Sequence, residues 1–311
     1  MRPRLPPELE YRILREVAVG LLGSRKNIIA LLLVCHRAHI WIEPVLYTTI
    51  CTSHQGTSNA VLRVLNSRPP HFLAATRHLF IAENTDWDLH TVERVLAKCV
   101  NLQDLFIPQH LCRPSLIPLL SPMPLESLSA WLQPLFGLSE GSDWSAQPIL
   151  MRLRRLEICG PMFKLASTLT PHRFFRGLAQ LSNLETIAFH GSLSATDLSH
   201  FLSNPQDQLH SVAVLFKSSS NRVAQHILHD QFRIVRSDRF VLTFEYTAYD
   251  EDWEKRVTGR PCFWDAADRF VRRKRIGDVA GEFGSDSIAV RGAAWLTENG
   301  LASRRILSSW K

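Results

Sequence analysis

Apolar residues recur between residues 76 and 214 in a short pattern that occurs six times. Each segment carries apolar side chains at positions 1, 4 and 6, as expected of a buried strand and the turn before it. The segments are Thr76/Leu79/Ile81, Leu102/Leu105/Ile107, Leu125/Leu128/Ala130, Leu153/Leu156/Ile158, Leu184/Ile187/Phe189 and Leu209/Val212/Val214, with Thr at one apolar position. Consecutive fourth positions are 26, 23, 28, 31 and 25 residues apart. This spacing leaves room for one strand and one helix in each unit.

Helical patterns fill several of the intervals between these strands. The apolar faces are Val92/Val95/Leu96/Cys99, Phe174/Leu178/Leu181 and Leu198/Phe201/Leu202. Ser194, three residues before Asp197, is a capping signal for the last of them. The pattern predicts an α/β stack in which parallel strands are lined by helices and each unit buries its apolar face against its neighbours. An unrelated α/β domain with amphipathic strands is the alternative.

Residues 5–50 show the pattern of three short helices. Pro6 and Pro7 favour a first helical turn, and Leu9, Ile13 and Val17 follow on one face. The predicted boundaries are Gly20 and Gly23 at the end of the first helix, Asn27 as the cap of the second, and Cys35 to about Glu43 for the third, which ends at Pro44. Such a small module has no paired cysteines, so it needs a partner or packing against the rest of the chain.

The C-terminal part shows one strand and one helix. Phe240–Tyr246 is rich in β-branched and aromatic residues and predicts a strand, and the acidic residues Asp250–Asp252 predict a turn. A helix from about Phe263 to Arg273 places Phe263, Ala267, Phe270 and Val271 on one face. We expect this strand and helix to cap the end of the stack. The predicted domains are 1–50 (helical), 51–75 (linker helix region), 76–276 (repeats with the capping strand and helix) and 277–311 (a tail without predicted structure).

Composition indicates a globular protein with a net positive charge. Of its 311 residues, 45% are hydrophobic and 21% are charged, and 36 Lys and Arg against 29 Asp and Glu give a formal charge of +7. The only dense basic run is Arg272–Arg275, which is typical of a solvated helix end. Nucleic-acid binding through this charge remains an alternative function.

The six cysteines form no Cys-x-x-Cys pair, and most lie within apolar stretches. The first residues lack the apolar segment of a secretory signal. The longest apolar run, Ile28–Cys35, is too short to cross a bilayer. We therefore expect a cytoplasmic or nuclear protein with no membrane contact.

Known catalytic patterns are poorly matched. Gly137-x-Ser139-x-Gly141 has the spacing of a nucleophile elbow, but Pro134 precedes it and a polar segment follows, where an elbow needs a strand and a helix. The histidine pairs His36/His39 and His226/His229 have no accompanying ligands at metal spacing. We therefore predict no catalytic residue, metal or cofactor; an esterase that uses Ser139 is the remaining alternative.

Residues at the two ends of the helical module carry a family resemblance. Leu5-Pro6-x-Glu8-Leu9, Ile13-Leu14, Leu33-Val34-Cys35 and Trp41-Ile42-Glu43-Pro44-x-Leu46-Tyr47 resemble an F-box, in particular the fungal F-box-like type. The resemblance implies docking on a Skp1-type adaptor and, through it, on a cullin ubiquitin ligase. The implied adaptor-binding residues are Leu5, Pro6, Leu9, Ile13, Leu14, Val34, Cys35, Trp41, Pro44, Leu46 and Tyr47. One departure is Ala38, where the family commonly has a bulky residue.

The same resemblance implies a leucine-rich-repeat-like domain after the module. Position 9, where regular repeats of that kind have Asn or Cys, holds His110, Gln133, Pro161, Ser192 and Lys217, so the repeats are irregular. The expected fold is α/β, a three-helix F-box-like module followed by an irregular repeat solenoid. The expected function is a non-enzymatic substrate receptor that binds an unidentified target protein. A repeat scaffold that acts outside any ligase is the first alternative.

Overall fold

The computed structural model describes residues 5–22, 24–137, 147–160, 171–190, 193–203, 208–217, 232, 234–245 and 249–278. Within these ranges the protein is an α/β fold with one parallel sheet of eight strands and twelve α-helices. The predicted α/β class and the predicted parallel pairing are confirmed.

The strands lie in the sheet in the order in which they occur along the chain. Their bounds are β1 Thr49–Cys51, β2 His78–Phe80, β3 Asp104–Phe106, β4 Ser127–Ala130, β5 Arg155–Ile158, β6 Thr186–His190, β7 Ser211–Lys217 and β8 Phe240–Glu245. Each strand therefore pairs only with its neighbours in sequence, as in a stack built one unit at a time.

The sequence pattern corresponds to β2–β7 and to the buried side of the sheet. All eighteen pattern positions are buried, and none is more than 3% exposed. The fourth positions are aligned across the sheet by register, in the order Leu79, Leu105, Leu128, Leu156, Ile187 and Val212. An aliphatic ladder of this kind excludes water from one face of every strand and gives the stack a continuous core.

The helices fall into an N-terminal group, a group that alternates with the strands, and a C-terminal pair. Their bounds are α1 Pro7–Gly20, α2 Arg25–Leu32, α3 His36–Ile42, α4 Gln55–Ser67, α5 His71–Ala74, α6 Leu89–Leu96, α7 Ile117–Leu120, α8 Leu132–Phe136, α9 Pro171–Ala179, α10 Ala195–Ser203, α11 Tyr249–Val257 and α12 Phe263–Arg275. The predicted faces of α6, α9 and α10 pack into the main core. Ser194 caps α10 by accepting the Asp197 backbone N–H at 3.3 Å, as predicted.

The three predicted N-terminal helices are present, with small differences at their ends. Helix α2 begins at Arg25, so Asn27 lies inside it and the predicted cap at Asn27 is wrong. Cys35 caps α3, because its Sγ accepts the Ala38 N–H at 3.4 Å. A 3₁₀ helix, Glu43–Tyr47, contains Pro44 in its first turn. The sheet begins at Thr49, inside the predicted helical domain of residues 1–50.

The C-terminal part differs from expectation in two ways. The acidic residues Asp250–Asp252 form the first turn of α11 rather than a loop, where the charges of Asp250 and Glu251 complement the positive end of the helix dipole. Helix α12 packs on the face of the sheet rather than over its end, since Ala267 and Val271 contact Val241 of β8. The predicted strand is confirmed as β8, and the predicted end cap is corrected to a cover on the sheet face.

Gly160 follows β5 at φ +90°, and a Cβ atom there would lie 2.4 Å from Nε1 of Trp131. We expect Gly160→Ala to lower the free energy of unfolding by about 2–4 kcal/mol, because the backbone is strained for Ala and the indole must move. At Gly56 in α4, by contrast, an added Cβ atom would have no heavy atom within 4 Å. Gly56→Ala should therefore be neutral or stabilising by about 0.5–1 kcal/mol. Urea denaturation of both variants checks this, and equal effects would contradict it.

Candidate functional site

Large apolar side chains are exposed mainly on the N-terminal helices. Of the thirteen such side chains in the described ranges, ten lie between residues 5 and 40. They are Leu5, Leu9, Tyr11, Ile13, Val17, Val19, Ile29, Leu33, Val34 and Ile40; the other three are Val100, Ile234 and Ile276. Singly exposed apolar residues are ordinary, but a concentration within one small module marks an interaction surface.

Helix α1 is apolar on two sides. Ala18 is completely buried in the module core, whereas Leu9, Ile13 and Val17 are 45%, 51% and 44% exposed. Their spacing of four residues places these three side chains in one row along the helix, away from Ala18. Leu5, which lies just before the helix, is 53% exposed. The module therefore presents a continuous apolar row that its own core does not use.

A second exposed apolar group lies between α2 and α3. Leu33 is 80% exposed and Val34 is 66% exposed, and Cys35 beside them is also exposed. Of the eleven residues implied by the family resemblance, six are therefore on the surface: Leu5, Pro6, Leu9, Ile13, Val34 and Cys35.

The other five implied residues are half-buried: Leu14, Trp41, Pro44, Leu46 and Tyr47. Trp41 lies edge-on to Tyr11 with 5.7 Å between ring centroids. Tyr47 lies edge-on to Phe72 of α5, at 5.6 Å. These five side chains help to pack the module and to attach it to the helices that follow, in addition to any surface they present to a partner.

Ala38 belongs to the interior of the module. It is completely buried beside Ala18, Ile28 and Ile42. In this chain the position therefore faces the module's own core, where the small side chain lets α3 approach α1 closely. The absence of a bulky residue at Ala38 removes nothing from the exposed apolar surface.

A buried carboxylate helps to hold the module against the helices that follow. Glu43 is 8% exposed, and its Oε1 lies 3.1 Å from Nη2 of Arg68 in the segment after α4. Its Oε2 lies 3.3 Å from Nε2 of His39. Together with the Tyr47–Phe72 contact, the Glu43–Arg68 ion pair sets the orientation of the module relative to the helices that follow it.

The sheet carries a second candidate surface on the face opposite its aliphatic ladder. The side chains there on β3–β6 are mostly polar: Asp104, Ser127, Ser129, Glu157 and Thr186. We call these five residues the polar face. The sequence pattern assigns only positions 1, 4 and 6 of each segment, so it did not predict this surface. The polar residues that alternate with the aliphatic positions were the signal that could have indicated it.

Helices α11 and α12 cover this face, and we call residues 249–275 the arm. Trp253 donates its Nε1–H to Asp104 at 2.8 Å, and Arg256 lies 2.9 Å from the same carboxylate. Arg256 also donates to Ser127 Oγ at 2.7 Å. The Asp104 and Arg256 side chains are only 8% and 7% exposed, so this ion pair is well shielded from water.

Glu157 is the centre of a second group of hydrogen bonds. It accepts from Ser129 Oγ at 2.7 Å and from the hydroxyl of Tyr249, and it contacts His190 Nε2 at 2.5 Å. Burial alone would raise the pKa of Glu157, but its bonds to His190 and the nearby charge of Arg256 outweigh burial and lower that pKa to about 2. Glu157 is therefore an ionised acceptor beneath α11.

Asp252 links the two helices of the arm and should make its stability depend on pH. Its carboxylate accepts the Phe263 N–H at the start of α12, at 3.0 Å, and burial together with the charge of Glu157 raises its pKa to about 6. A raised carboxyl pKa stabilises the fold below about pH 4, and this contribution is lost as pH rises through about 6.

Asp252→Asn keeps an oxygen acceptor without the charge. We expect it to increase the free energy of unfolding by about 1–2 kcal/mol at pH 7 and to have no effect near pH 4. Thermal unfolding at both pH values checks this; an equal shift at both would contradict it.

The basic run Arg272–Arg275 is largely engaged within the chain. Arg273 pairs with Asp278 at 2.7 Å, Arg275 pairs with Asp238 at 3.0 Å, and Lys274 donates to the Ser237 carbonyl. Three of the four cations therefore have partners, which reduces their availability to nucleic-acid phosphates.

Other candidate chemistry is limited in the part of the chain that can be described. No helix there combines the length and the apolar character that a membrane crossing requires. No three His, Cys, Asp or Glu side chains come together as a metal site in those same ranges. Ser139, His226 and His229 lie outside the described residues, and so does most of the Gly-x-Ser-x-Gly segment.

Comparison with known proteins gives no match, whether to protein-family models, to curated proteins or to solved structures.

Proposed function

We propose that this chain is a substrate-receptor subunit of an SCF-type ubiquitin ligase. The helical module would bind a Skp1-type adaptor, which links it to a cullin, and the sheet domain would bind a target protein. The observation that carries the proposal is the exposed apolar row of Leu9, Ile13 and Val17, together with the exposed side chains of Leu5 and Val34 in the same module. Exposed apolar surface on a folded module is stabilised when a partner removes it from water.

Two features of the chain support the F-box-like and leucine-rich-repeat-like parts of the proposal. The Leu-Pro start and the Trp-Ile-Glu-Pro-x-Leu-Tyr end of the module resemble an F-box, and three short helices lie between residues 5 and 47. The strands of the following domain stack in parallel in chain order, one per unit. A protein of this type has no active site of its own and acts by raising the concentration of the target near the ligase. Its site of action would be the cytoplasm or the nucleus.

Within this proposal, the Glu43–Arg68 ion pair determines how the helical module is held against the rest of the chain. Because Glu43 contacts Arg68, the adaptor-binding module is fixed to the sheet domain rather than tethered by a loose linker. A receptor of this kind holds its target at a defined distance from the ligase, which favours transfer of ubiquitin.

Binding of the purified full-length chain to a Skp1-type adaptor tests the proposal. We expect a one-to-one complex with a Kd of about 1 μM or below, and an interface of roughly 1,600 Å² or more with an apolar centre. Isothermal titration at several temperatures should give a negative heat-capacity change, because apolar surface is buried. If no complex forms at about 100 μM, the ligase proposal is wrong and a scaffold outside the ligase takes its place.

A further inference from the structure

The main core lies on one face of the sheet, and the arm packs on the other. One face is the aliphatic ladder, whose buried cluster includes no described residue of the arm. The arm instead buries its apolar side chains in three small separate clusters, around Trp253, Trp264 and Val271. The main core of the stack therefore does not depend on arm side chains for its packing.

The contact between arm and polar face has the composition of a binding interface rather than of a domain core. Tyr249, Trp253 and Arg256 make the contacts of α11, and Tyr, Trp and Arg are the residue types enriched at interface hot spots. Trp253 packs 5.3 Å from Phe80, and Tyr249 packs 5.1 Å from Phe106, measured between ring centroids. Buried charges such as Asp104 are uncommon in ordinary cores.

We propose that the arm occupies, within the chain, the surface on which the sheet domain binds its target. The target would be a helical protein segment with two aromatic side chains and a cation in the spacing of Tyr249, Trp253 and Arg256. This inference rests on the proposed function, since it identifies the target surface of the receptor.

The charges on this face determine the kind of partner. When the arm moves off the sheet, Asp104 loses the positive charge of Arg256. A segment that binds in place of the arm must therefore supply a cation beside Asp104. Phe80 and Phe106 require an aromatic side chain beside it. Arg155 on β5 and His190 on β6 lie further along the face, and His190 is already paired with Glu157. A phosphorylated segment would place an anion against Asp104 and Glu157, so the geometry favours a basic, aromatic segment.

Hydrogen exchange of the unmodified full-length chain is the first test. We expect the amides of α11 to exchange at least ~100-fold faster than those of β3–β6, because the arm opens while the sheet stays folded. If α11 and these strands exchange together as one unit, the arm is an integral part of the fold and the proposal is wrong.

Binding of a synthetic peptide of residues 249–258 is the second test. The full-length variant Trp253→Ala/Arg256→Ala should bind this peptide at least ~10-fold more tightly than the unmodified chain, because the covalently attached competitor is weakened. Adding Asp104→Ala should remove the gain, and a peptide with Ala at both positions should not bind. Equal binding to both chains, or binding that Asp104→Ala leaves unchanged, overturns the proposal.

Adaptor binding measured on the same samples separates this inference from the proposed function. The adaptor should bind all of these variants equally, because the substitutions lie outside the N-terminal module. Adaptor binding without peptide binding contradicts the inference alone. Peptide binding without adaptor binding contradicts the ligase and leaves the target surface in place.

Discussion

Replacing Leu9 and Ile13 together with aspartate should weaken adaptor binding at least ~1,000-fold and leave the fold intact. Both side chains are about half exposed, at 45% and 51%, so the free protein tolerates a charge at either position. In the complex each substitution loses about 1 kcal/mol of apolar burial and leaves a carboxylate desolvated without a partner, which costs about 1–3 kcal/mol more. The sum of about 4 kcal/mol or more corresponds to the expected loss of affinity.

Val100 provides a matched control for this experiment. It is 53% exposed, as Leu9 and Ile13 nearly are, but it lies in the sheet domain after α6. Val100→Asp should bind the adaptor as the unmodified chain does, and circular dichroism should show the same fold for all three proteins. If the double variant retains its affinity, or if Val100→Asp loses as much, the exposed row on α1 is not the adaptor surface.

The sheet could be predicted from the sequence because its signal is local. Alternate aliphatic residues at positions 4 and 6 bury one face of a strand wherever a neighbouring unit covers them, and every such position is buried in the structure. β1 gave a weaker signal, because the template there reads Tyr47/Ile50/Thr52 and its sixth position is polar; the segment is a strand because it pairs with β2. The hydrogen bonds that join the turns of neighbouring units were also not predicted. The side-chain amides of Asn101 and Asn183 donate to backbone carbonyls of the preceding unit, those of Ala74 and Met151 respectively.

Helix α11 could not be predicted because tertiary contacts determine it. Asp250–Asp252 have the composition of a turn, and the helix is stabilised by the burial of Trp253 against the sheet and by the Arg256–Asp104 ion pair. A usable signal lies in β2 and β3, where Phe80 and Phe106 occupy the face that the pattern leaves open. Two neighbouring aromatic residues on an otherwise polar face indicate that another element covers them.

The proposed adaptor surface could be predicted only as a set of candidate residues. The sequence shows apolar residues on more than one side of α1, and periodicity alone does not decide which side faces the module core. Packing decides it: Ala18 lets α3 approach α1, and this leaves Leu9 and Ile13 in solvent. The division of the eleven implied residues into six exposed and five half-buried ones follows from that choice of side.

Leu156→Ala should lower the free energy of unfolding by about 3–5 kcal/mol, whereas Leu9→Ala should change it by less than about 0.5 kcal/mol. Leu156 is completely buried at the fourth position of β5, between Leu128 and Ile187, and its truncation leaves a cavity in the aliphatic ladder. Leu9 makes no comparable contribution to the folded monomer because it is 45% exposed on α1. Urea denaturation followed by circular dichroism measures both values, and an unchanged slope with denaturant shows that the unfolding transition is the same.

The pair of leucines separates stability from binding, because the two substitutions remove the same atoms. Leu9→Ala should weaken adaptor binding about 5-fold or more through the apolar burial it loses, whereas Leu156→Ala should bind with unchanged affinity at a temperature where it remains folded. If Leu9→Ala destabilises the protein as much as Leu156→Ala does, then Leu9 is a core residue and the apolar row on α1 belongs to the fold. If instead Leu9→Ala weakens adaptor binding and leaves the free energy of unfolding unchanged, Leu9 belongs to the binding surface.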